Sequence, residues 1–193
     1  MTIQLVLATH NAHKVEELRR ILGPVLDGIE LIGYDGPEPI EDGDTFEANA
    51  LIKARAASIH TGLPAIADDS GISVDALDGA PGILSARYAG NRDDHENLEL
   101  LLGNLASEED RAAQFYCAAA FVNGSFEHVE LGVWPGTVLA EAAGVGGFGY
   151  DPIFKPDGLD VSAAELTADE KNAISHRAKA FAQLMPVVRE RLL

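Results

Sequence analysis

Two adjacent carboxylates close an apolar run: Leu63-Pro64-Ala65-Ile66-Ala67 leads directly into Asp68-Asp69-Ser70-Gly71. Like charges beside an apolar segment repel one another and resist leaving water, so the fold alone gains nothing from this placement. A buried strand that delivers acids to its open end can hold a hard cation or activate a water. Magnesium suits such a site, because it takes oxygen ligands and binds through one or two carboxylates together with substrate phosphates. Ser70-Gly71 reads as the turn that ends the strand. The same residues also read as a solvated loop with two helix-capping acids, and the pentapeptide does not separate the two readings.

A second segment with chemical potential is Thr9-His10-Asn11-Ala12-His13-Lys14, where a first strand meets its helix. In α/β sheets ligands bind at such junctions, and a helix N-terminus offers free amides and the positive end of a dipole to a phosphate. Thr9 and Asn11 can donate hydrogen bonds there and Lys14 can supply charge; alternatively Thr9 or Asn11 only caps the helix and Lys14 is solvated. Gly144-Val145-Gly146-Gly147-Phe148-Gly149 has the G-x-G-x-x-G spacing, but Tyr150-Asp151-Pro152 follows where a dinucleotide fingerprint needs a helix. Phe148 on a glycine loop beside Asp151 suits base stacking next to a hydrogen-bonding acid. The six histidines lack zinc-ligand spacing, and only His176 invites a role. Cys117, the single cysteine, lies in Phe115-Tyr116-Cys117-Ala118-Ala119-Ala120 and reads as a small core residue.

The elements that must position these residues alternate strand and helix. Ile3–Ala8 reads as a buried strand, Ala12–Leu22 as a helix stopped by Gly23-Pro24, and Ile29–Ile32 as a second strand. Tyr34–Asp44 is a loop, followed by a long helix with Thr45 as N-cap and an end near Gly62. Leu63–Ser73 carries the aspartates, a Gly-rich loop runs through Tyr88-Ala89-Gly90, and Asp94–Leu105 is helical. Asn123-Gly124-Ser125 joins two strand-like runs, Ala112–Val122 and Phe126–Leu139, and Asn-Gly is a strong hairpin signal. The C-terminus reads as helical over Ser162–Leu166, Ala168–Asn172 and Ser175–Arg191. This order predicts one α/β domain over residues 1–193, built on a mixed, twisted sheet.

The 193 residues are 47% apolar, enough for one well-buried core. A formal net charge of −17, from 14 basic and 31 acidic residues, excludes a nucleic-acid-binding surface, which needs a basic field. No apolar stretch approaches the roughly 20 residues that span a bilayer. The N-terminus has no basic region followed by an apolar segment and a cleavage site, and a lone cysteine fits a reducing compartment, so a cytoplasmic location without membrane attachment is expected.

Taken together the segments resemble the inosine-triphosphate pyrophosphatase family. The resemblance rests on Thr9-x-Asn11-x-x-Lys14, Asp44-Thr45-Phe46-x-x-Asn49-Ala50, Lys53-Ala54, and Ala67-Asp68-Asp69-Ser70-Gly71. It continues through Gly79-Ala80-Pro81-Gly82, Ser85-Ala86-Arg87-Tyr88, Gly147-Phe148-Gly149-Tyr150-Asp151-Pro152-Ile153-Phe154, Glu165-Leu166 and Lys171-Asn172-x-x-Ser175-His176-Arg177. It departs at one place, where the family usually has a glutamate before the Asn-Ala pair and this chain has Ala48, with Glu47 one residue earlier. One residue turns a helical side chain by roughly 100°, so Glu47 is no substitute and the acid's role falls to Glu41.

The resemblance implies an elongated α/β fold with two lobes around a central cleft, usually a homodimer. The implied reaction is Mg²⁺-dependent hydrolysis of the non-canonical purine nucleoside triphosphates ITP, dITP and XTP to monophosphate and pyrophosphate. On that basis Asp69 is the catalytic base and a metal ligand, Glu41 is the second metal ligand, and Asp68 supports them from outside. Substrate contacts fall to Thr9, His10, Asn11, Ala12, His13, Lys14, Lys53, Ser70, Phe148, Gly149, Tyr150, Asp151, Lys171, His176 and Arg177. Lys14, Lys53 and Lys171 would neutralise the phosphates, Phe148 would stack on the base, and His176 and Arg177 would donate to its 6-keto oxygen. Two other functions stand beside this one: a septum-inhibitor-like nucleotide pyrophosphatase with another base preference, against which Ser175-His176-Arg177 and Phe148–Asp151 argue, and a non-catalytic nucleotide sensor, which Ala48 leaves open.

Overall fold

The computed structural model describes residues 2–193, the side chains of Ala12, His13 and Pro24 excepted. The elements are β1 (Ile3–Leu7), α1 (Ala12–Leu22), β2 (Ile29–Gly33), α2 (Phe46–Thr61), β3 (Ala65–Val74), α3 (Asp94–Asn104), β4 (Ala112–Asn123), β5 (Phe126–Val138), β6 (Phe154–Pro156), α4 (Ala168–Ile174) and α5 (His176–Leu192). They form a mixed α/β fold on a six-stranded sheet of order β2-β1-β3-β4-β5-β6. β1 pairs in parallel with β2 and β3, and β5 pairs antiparallel with β6. Two compact units emerge: Met1–Asp69, Cys117–Gly132 and His176–Leu193 make one, Ser70–Tyr116 and Val133–Ser175 the other.

In the first unit the period of two along a strand sorts side chains into two layers. Leu5 and Leu7 of β1, Ile66 of β3 and Cys117, Ala119 and Phe121 of β4 pack with Leu18 and Leu22 of α1 and Phe181, Leu184 and Val188 of α5. The intervening residues Val6, Ala65, Ala67, Ala118, Ala120 and Val122 meet Ala50, Ala54 and Ala57 of α2. Small side chains on both surfaces let α2 lie close to the strands. The helix begins where Thr45 accepts from the Ala48 amide and ends at Gly62 in the left-handed region, both as its sequence predicts.

The second unit is built on Ile72, Val74, Leu98, Leu101, Phe115, Trp134, Tyr150, Ile153 and Phe154. Phe154 meets Phe115 edge-on at 4.7 Å and Trp134 at 5.4 Å. Three local expectations change. Ser70-Gly71 makes no turn, and β3 runs on to Val74, because Gly71 lies so close to Gly82 and Ser85 that only a residue without a side chain lets the strand pass. The Gly-rich loop before α3 contains a 3₁₀ turn, Gly82–Arg87. In the hairpin Asn123 stays in β4, and the turn residues are Gly124, with φ of 61°, and Ser125, so glycine leads the turn rather than following Asn.

Gly132 carries a consequence for stability. A Cβ there would run into the His176 carbonyl oxygen and stand 2.6 Å from the Ala180 amide, so β5 and α5 touch backbone to backbone. Gly132→Ala is expected to cost about 1–3 kcal/mol by overpacking. Gly103 of α3 has nothing within 4 Å of such a Cβ, and Gly103→Ala should stabilise by about 0.5–1 kcal/mol. Urea denaturation of the two variants measures both; equal midpoints would refute the close approach.

Candidate functional site

β1 ends at Leu7, opposite Ile66, while β3 continues. Asp68 and Asp69 therefore lie past the carboxyl end of β1, in the strand rather than at its tip. Being consecutive, they point to opposite faces. Asp68 follows Ile66 onto the α1 and α5 side; Asp69 follows Ala67 onto the α2 side. The two adjacent carboxylates thus meet different close partners, although Lys14 and Lys53 act on both.

On the first side, Asp68 is 2% exposed, and its Oδ2 lies 3.2 Å from Lys14 Nζ and accepts from Arg177 Nε and an Arg177 terminal nitrogen at 3.2 Å each. Arg177 also donates to Glu17. Cys117 Sγ is 4.0 Å from the same Asp68 oxygen. Burial alone would raise the Asp68 pKa, but Lys14, Arg177 and Lys53 together hold it well below the usual carboxylate range. Burial, with Asp68 adding to it, pushes the Cys117 thiol up, so it is an inert core group as its sequence predicts. Lys14 and Glu17 project from the same side of α1, three residues apart. Asn11 starts that helix: its Oδ1 accepts from the Lys14 amide at 3.2 Å, and its own amide donates to Thr9 Oγ1.

On the α2 side, Lys53 Nζ donates to Asp69 Oδ1 and Glu41 Oε2, each at 2.9 Å. Burial raises the Asp69 pKa; Lys53 and Lys14 oppose this, Glu41 adds to it, and the net direction is up. The Lys53 ammonium, which burial would lower, is raised by Asp69, Asp68 and Glu41. Glu41 is positioned by a residue given no role in the sequence reading: Asn49, 2% exposed, accepts from the Gly43 amide at 2.9 Å and fixes the loop before α2. A Cβ on Gly43 would come within 2.7 Å of the Ala48 Cβ, so position 48 packs that loop. Farther along it, His10 Nδ1 lies 3.3 Å from Glu38 and its ring 5.4 Å from Tyr34, whose hydroxyl donates to the Pro37 carbonyl.

A separate cluster lies in the second unit. Asp151 Oδ2 accepts from the Phe148 amide at 2.8 Å and from Lys171 Nζ at 2.7 Å. Lys171 Nζ is also 4.8 Å from the centre of the Phe148 ring. Gly147, in the left-handed region, runs so close to Asp151 that any Cβ would collide with its carboxylate. The Gly149 amide donates to Asp94 Oδ2 at 3.0 Å, and Tyr150 donates to the Ser85 carbonyl at 2.7 Å. Thr167 caps α4 and so orients Lys171.

The expected site residues are thus distributed unevenly. Lys14, Lys53, Glu41 and Asp69 share one charged network with Asp68. Lys171, expected on the phosphates with the other lysines, pairs with Asp151 beside Phe148, where α4 carries it. His176 and Arg177, expected as donors to the base, are 4% and 1% exposed, with the guanidinium engaged by Asp68 and Glu17. Ser70 is half-buried within β3. The expectations for Ala12 and His13 concern side chains outside the described residues. Glu17 escaped the sequence reading, and Asn49 was named there without a role. A signal existed for each: an acid on the helix face of Lys14, and an amide on the alanine face of α2.

The sequence profile of the Ham1 family matches residues 5–187. A dITP/XTP pyrophosphatase of Leifsonia xyli subsp. xyli is 57% identical over 97% of this chain and 96% of its own length. A dITP/XTP pyrophosphatase of Streptomyces coelicolor is 53% identical over 98% of each. Among solved structures, a HAM1 protein from Coxiella burnetii matches with a TM-score of 0.88 at 42% identity, covering 98% of this chain and 100% of that one. The Staphylococcus aureus Ham1 protein matches with a TM-score of 0.87 at 36% identity, over 97% and 99%.

The buried network makes stability depend on acid. The folded-state pKa of Asp68 lies below its unfolded value, so its ion pairs contribute fully above about pH 4 and are lost as pH falls through the depressed folded value. Asp68→Asn should be about 3–5 kcal/mol less stable than wild type at neutral pH, since it leaves buried cations unbalanced. That gap should shrink only in strong acid. Denaturation in urea from neutral to strongly acidic pH measures it, and a gap that stayed constant into strong acid would refute the assignment.

Proposed function

The chain belongs to the Ham1 family, and on that premise we propose that it hydrolyses non-canonical purine nucleoside triphosphates, among them ITP, dITP and XTP, to the monophosphate and pyrophosphate. The observation that carries this reading is the convergence of Glu41 and Asp69 on one lysine ammonium, past the carboxyl end of β1. The match to the family profile spans both units, which supports treating the whole chain as one pyrophosphatase domain.

A triphosphate carries about four negative charges, and attack on its α-phosphorus requires their neutralisation. Lys14 and Lys53 contribute, but Glu17, Glu41, Asp68 and Asp69 outnumber Lys14, Lys53 and Arg177 in the same network by one charge. A polyanion entering an already negative cluster needs a further cation. Among the described residues no three His, Cys, Asp or Glu side chains gather as a metal cage. Two carboxylates meeting on one ammonium fit Mg²⁺, which uses one or two protein carboxylates and completes its shell with phosphate and water. Held by Glu41 and Asp69, Mg²⁺ would supply Lewis-acid neutralisation of phosphate oxygens. Asp69, whose raised pKa makes it a better proton acceptor than an ordinary aspartate, takes the proton of the attacking water. Lys53 keeps Asp69 and Glu41 aligned, and the capped start of α1 presents Thr9, Asn11 and Lys14 to the phosphates.

For the base, Phe148 supplies the stacking surface, and Asp151 and Lys171 fix it from the backbone and ring sides. His176 and Arg177 supply donors that match a 6-keto oxygen and oppose the amino group of adenine. Being held by two carboxylates, the Arg177 guanidinium is ordered before a base arrives. A homodimer in the cytoplasm completes the proposal. No helix of the described residues is long and apolar enough to cross a membrane, and the charge of −17 opposes binding to nucleic acid.

Asp69→Asn should keep the fold and lower pyrophosphate release from ITP by about 10²–10⁴, and wild-type release should require Mg²⁺. Near-wild-type release by the folded variant would remove Asp69 as base, and full release in chelator would remove the metal. For base reading, Phe148→Ala should lower kcat/KM for ITP and ATP alike, by about 1–3 kcal/mol if its stacking resembles other base–aromatic contacts. Arg177→Ala should instead narrow the ratio of ITP to ATP. Steady-state kinetics on both nucleotides separates them, and an unchanged ratio in Arg177→Ala would place selectivity elsewhere.

A further inference from the structure

One oxygen of Asp68 joins two residues with different tasks. Its Oδ2 meets Lys14 Nζ at 3.2 Å from one side and two nitrogens of Arg177 at 3.2 Å from the other. The Asp68 side chain is fully buried and that of Arg177 nearly so, so solvent screens these contacts little, and Lys14 is itself only 15% exposed. Glu17 holds a further Arg177 nitrogen, which keeps the guanidinium edge turned toward Asp68. We infer that Asp68 is a positioning residue that couples base selection to the grip on phosphate, by sharing one carboxylate oxygen between Arg177 and Lys14. The inference rests on the reading that Lys14 meets the phosphates.

The sign of the coupling follows from competition. A carboxylate and a phosphate both draw on the Lys14 ammonium. The two Arg177 donors occupy part of the acceptor capacity of Asp68 Oδ2, and its positive charge offsets the carboxylate, which leaves Lys14 more available to a phosphate. Without Arg177, Asp68 holds Lys14 more tightly, and phosphate binding weakens at a distance from the base. By linkage the converse holds: phosphate that draws Lys14 away from Asp68 tightens the hold of Asp68 on Arg177, so a seated triphosphate stiffens the group that reads the base. Loss of the Arg177 charge also weakens anion binding directly, whatever Asp68 does. Only the dependence on Asp68 and Lys14 distinguishes the coupling from that background.

Calorimetric titration of inorganic pyrophosphate into the full chain, with Mg²⁺ present throughout, tests this without relying on turnover. Arg177→Gln should weaken pyrophosphate about threefold or more, as expected for residues in one charged network. In the Lys14→Gln background the same change should move the affinity by less than about twofold. The double variant Asp68→Asn/Arg177→Gln, which removes both partners of the buried pair, should bind pyrophosphate more tightly than Arg177→Gln alone. Equal losses with and without Lys14, no loss in Arg177→Gln, or a double variant as weak as Arg177→Gln would each overturn the coupling. If Arg177→Gln does not fold by circular dichroism, Arg177→Lys tests the donor contact alone: it keeps the charge and loses the two-nitrogen contact, so its loss should be smaller and should again vanish in the Lys14→Gln background. Wild type that binds no pyrophosphate overturns the placing of Lys14 on phosphate, and the coupling with it. A chain that shows the coupling but releases no pyrophosphate from ITP overturns the enzymatic reading alone.

Discussion

Successive side chains of an extended strand point to opposite faces, and in β3 that period separates two neighbouring carboxylates that would otherwise repel each other in a medium of low polarity. The rest of the charged architecture depends on this separation. Asp68 enters the layer of α1 and α5 and is met there by Lys14 and Arg177; Asp69 enters the layer of α2 and is met by Lys53. Burial raises the pKa of both acids, and their neighbours decide the net direction for each. Asp68, with two close cations and Lys53 beyond, is held ionised. Asp69, raised by burial and further by Glu41 against the pull of Lys53 and Lys14, keeps a raised pKa. One residue step along one strand therefore divides an acid whose pKa is lowered from one whose pKa is raised.

Desolvating several charges is costly, and buried ion pairs frequently return little more than that cost. The network around Asp68 is accordingly better understood as a device for geometry than as a source of stability. Arg177 is tied to α1 through Glu17 and to β3 through Asp68. The helix that begins at His176 is further fixed by the backbone contact at Gly132, which leaves no room for a side chain between β5 and α5. Asn49 does for the loop carrying Glu41 what these contacts do for α5: a buried amide satisfied by the backbone of a loop holds a catalytic candidate that has no secondary structure of its own. In the second unit Asp151 plays the same part for Phe148, gripping its amide while pairing with Lys171.

Much of the fold was legible in the sequence because it depends on local signals. Thr45 and Gly62 bound α2 through cap chemistry that acts within one turn, and the alternating and helical apolar patterns placed β1, α1, α3, β4 and α5 within a residue or two. Residue types also announced the acids at Asp68 and Asp69, the lysines, the glycine loop bearing Phe148, and the core character of Cys117. Family membership followed from the order of those motifs, because a series of short motifs in one order is a property of the chain itself.

The tertiary structure decided what depends on partners distant in sequence. Whether Ser70-Gly71 turns or stays extended was settled by Gly82 and Ser85, which approach Gly71 too closely for a side chain to stand between them. Whether the two aspartates converge was settled by which layers cover the faces of β3. Lys171 has the same charge as Lys14 and Lys53, and nothing in its residue type shows that α4 carries it to Asp151. Arg177 reads in sequence as a donor at a helix start, and nothing there shows that Glu17, 160 positions away, and Asp68, 109 away, close around it. Charge is written into the residue, but the pairing of charges is a property of three-dimensional packing, and so the sequence determined which groups are available while the fold determined what each of them meets.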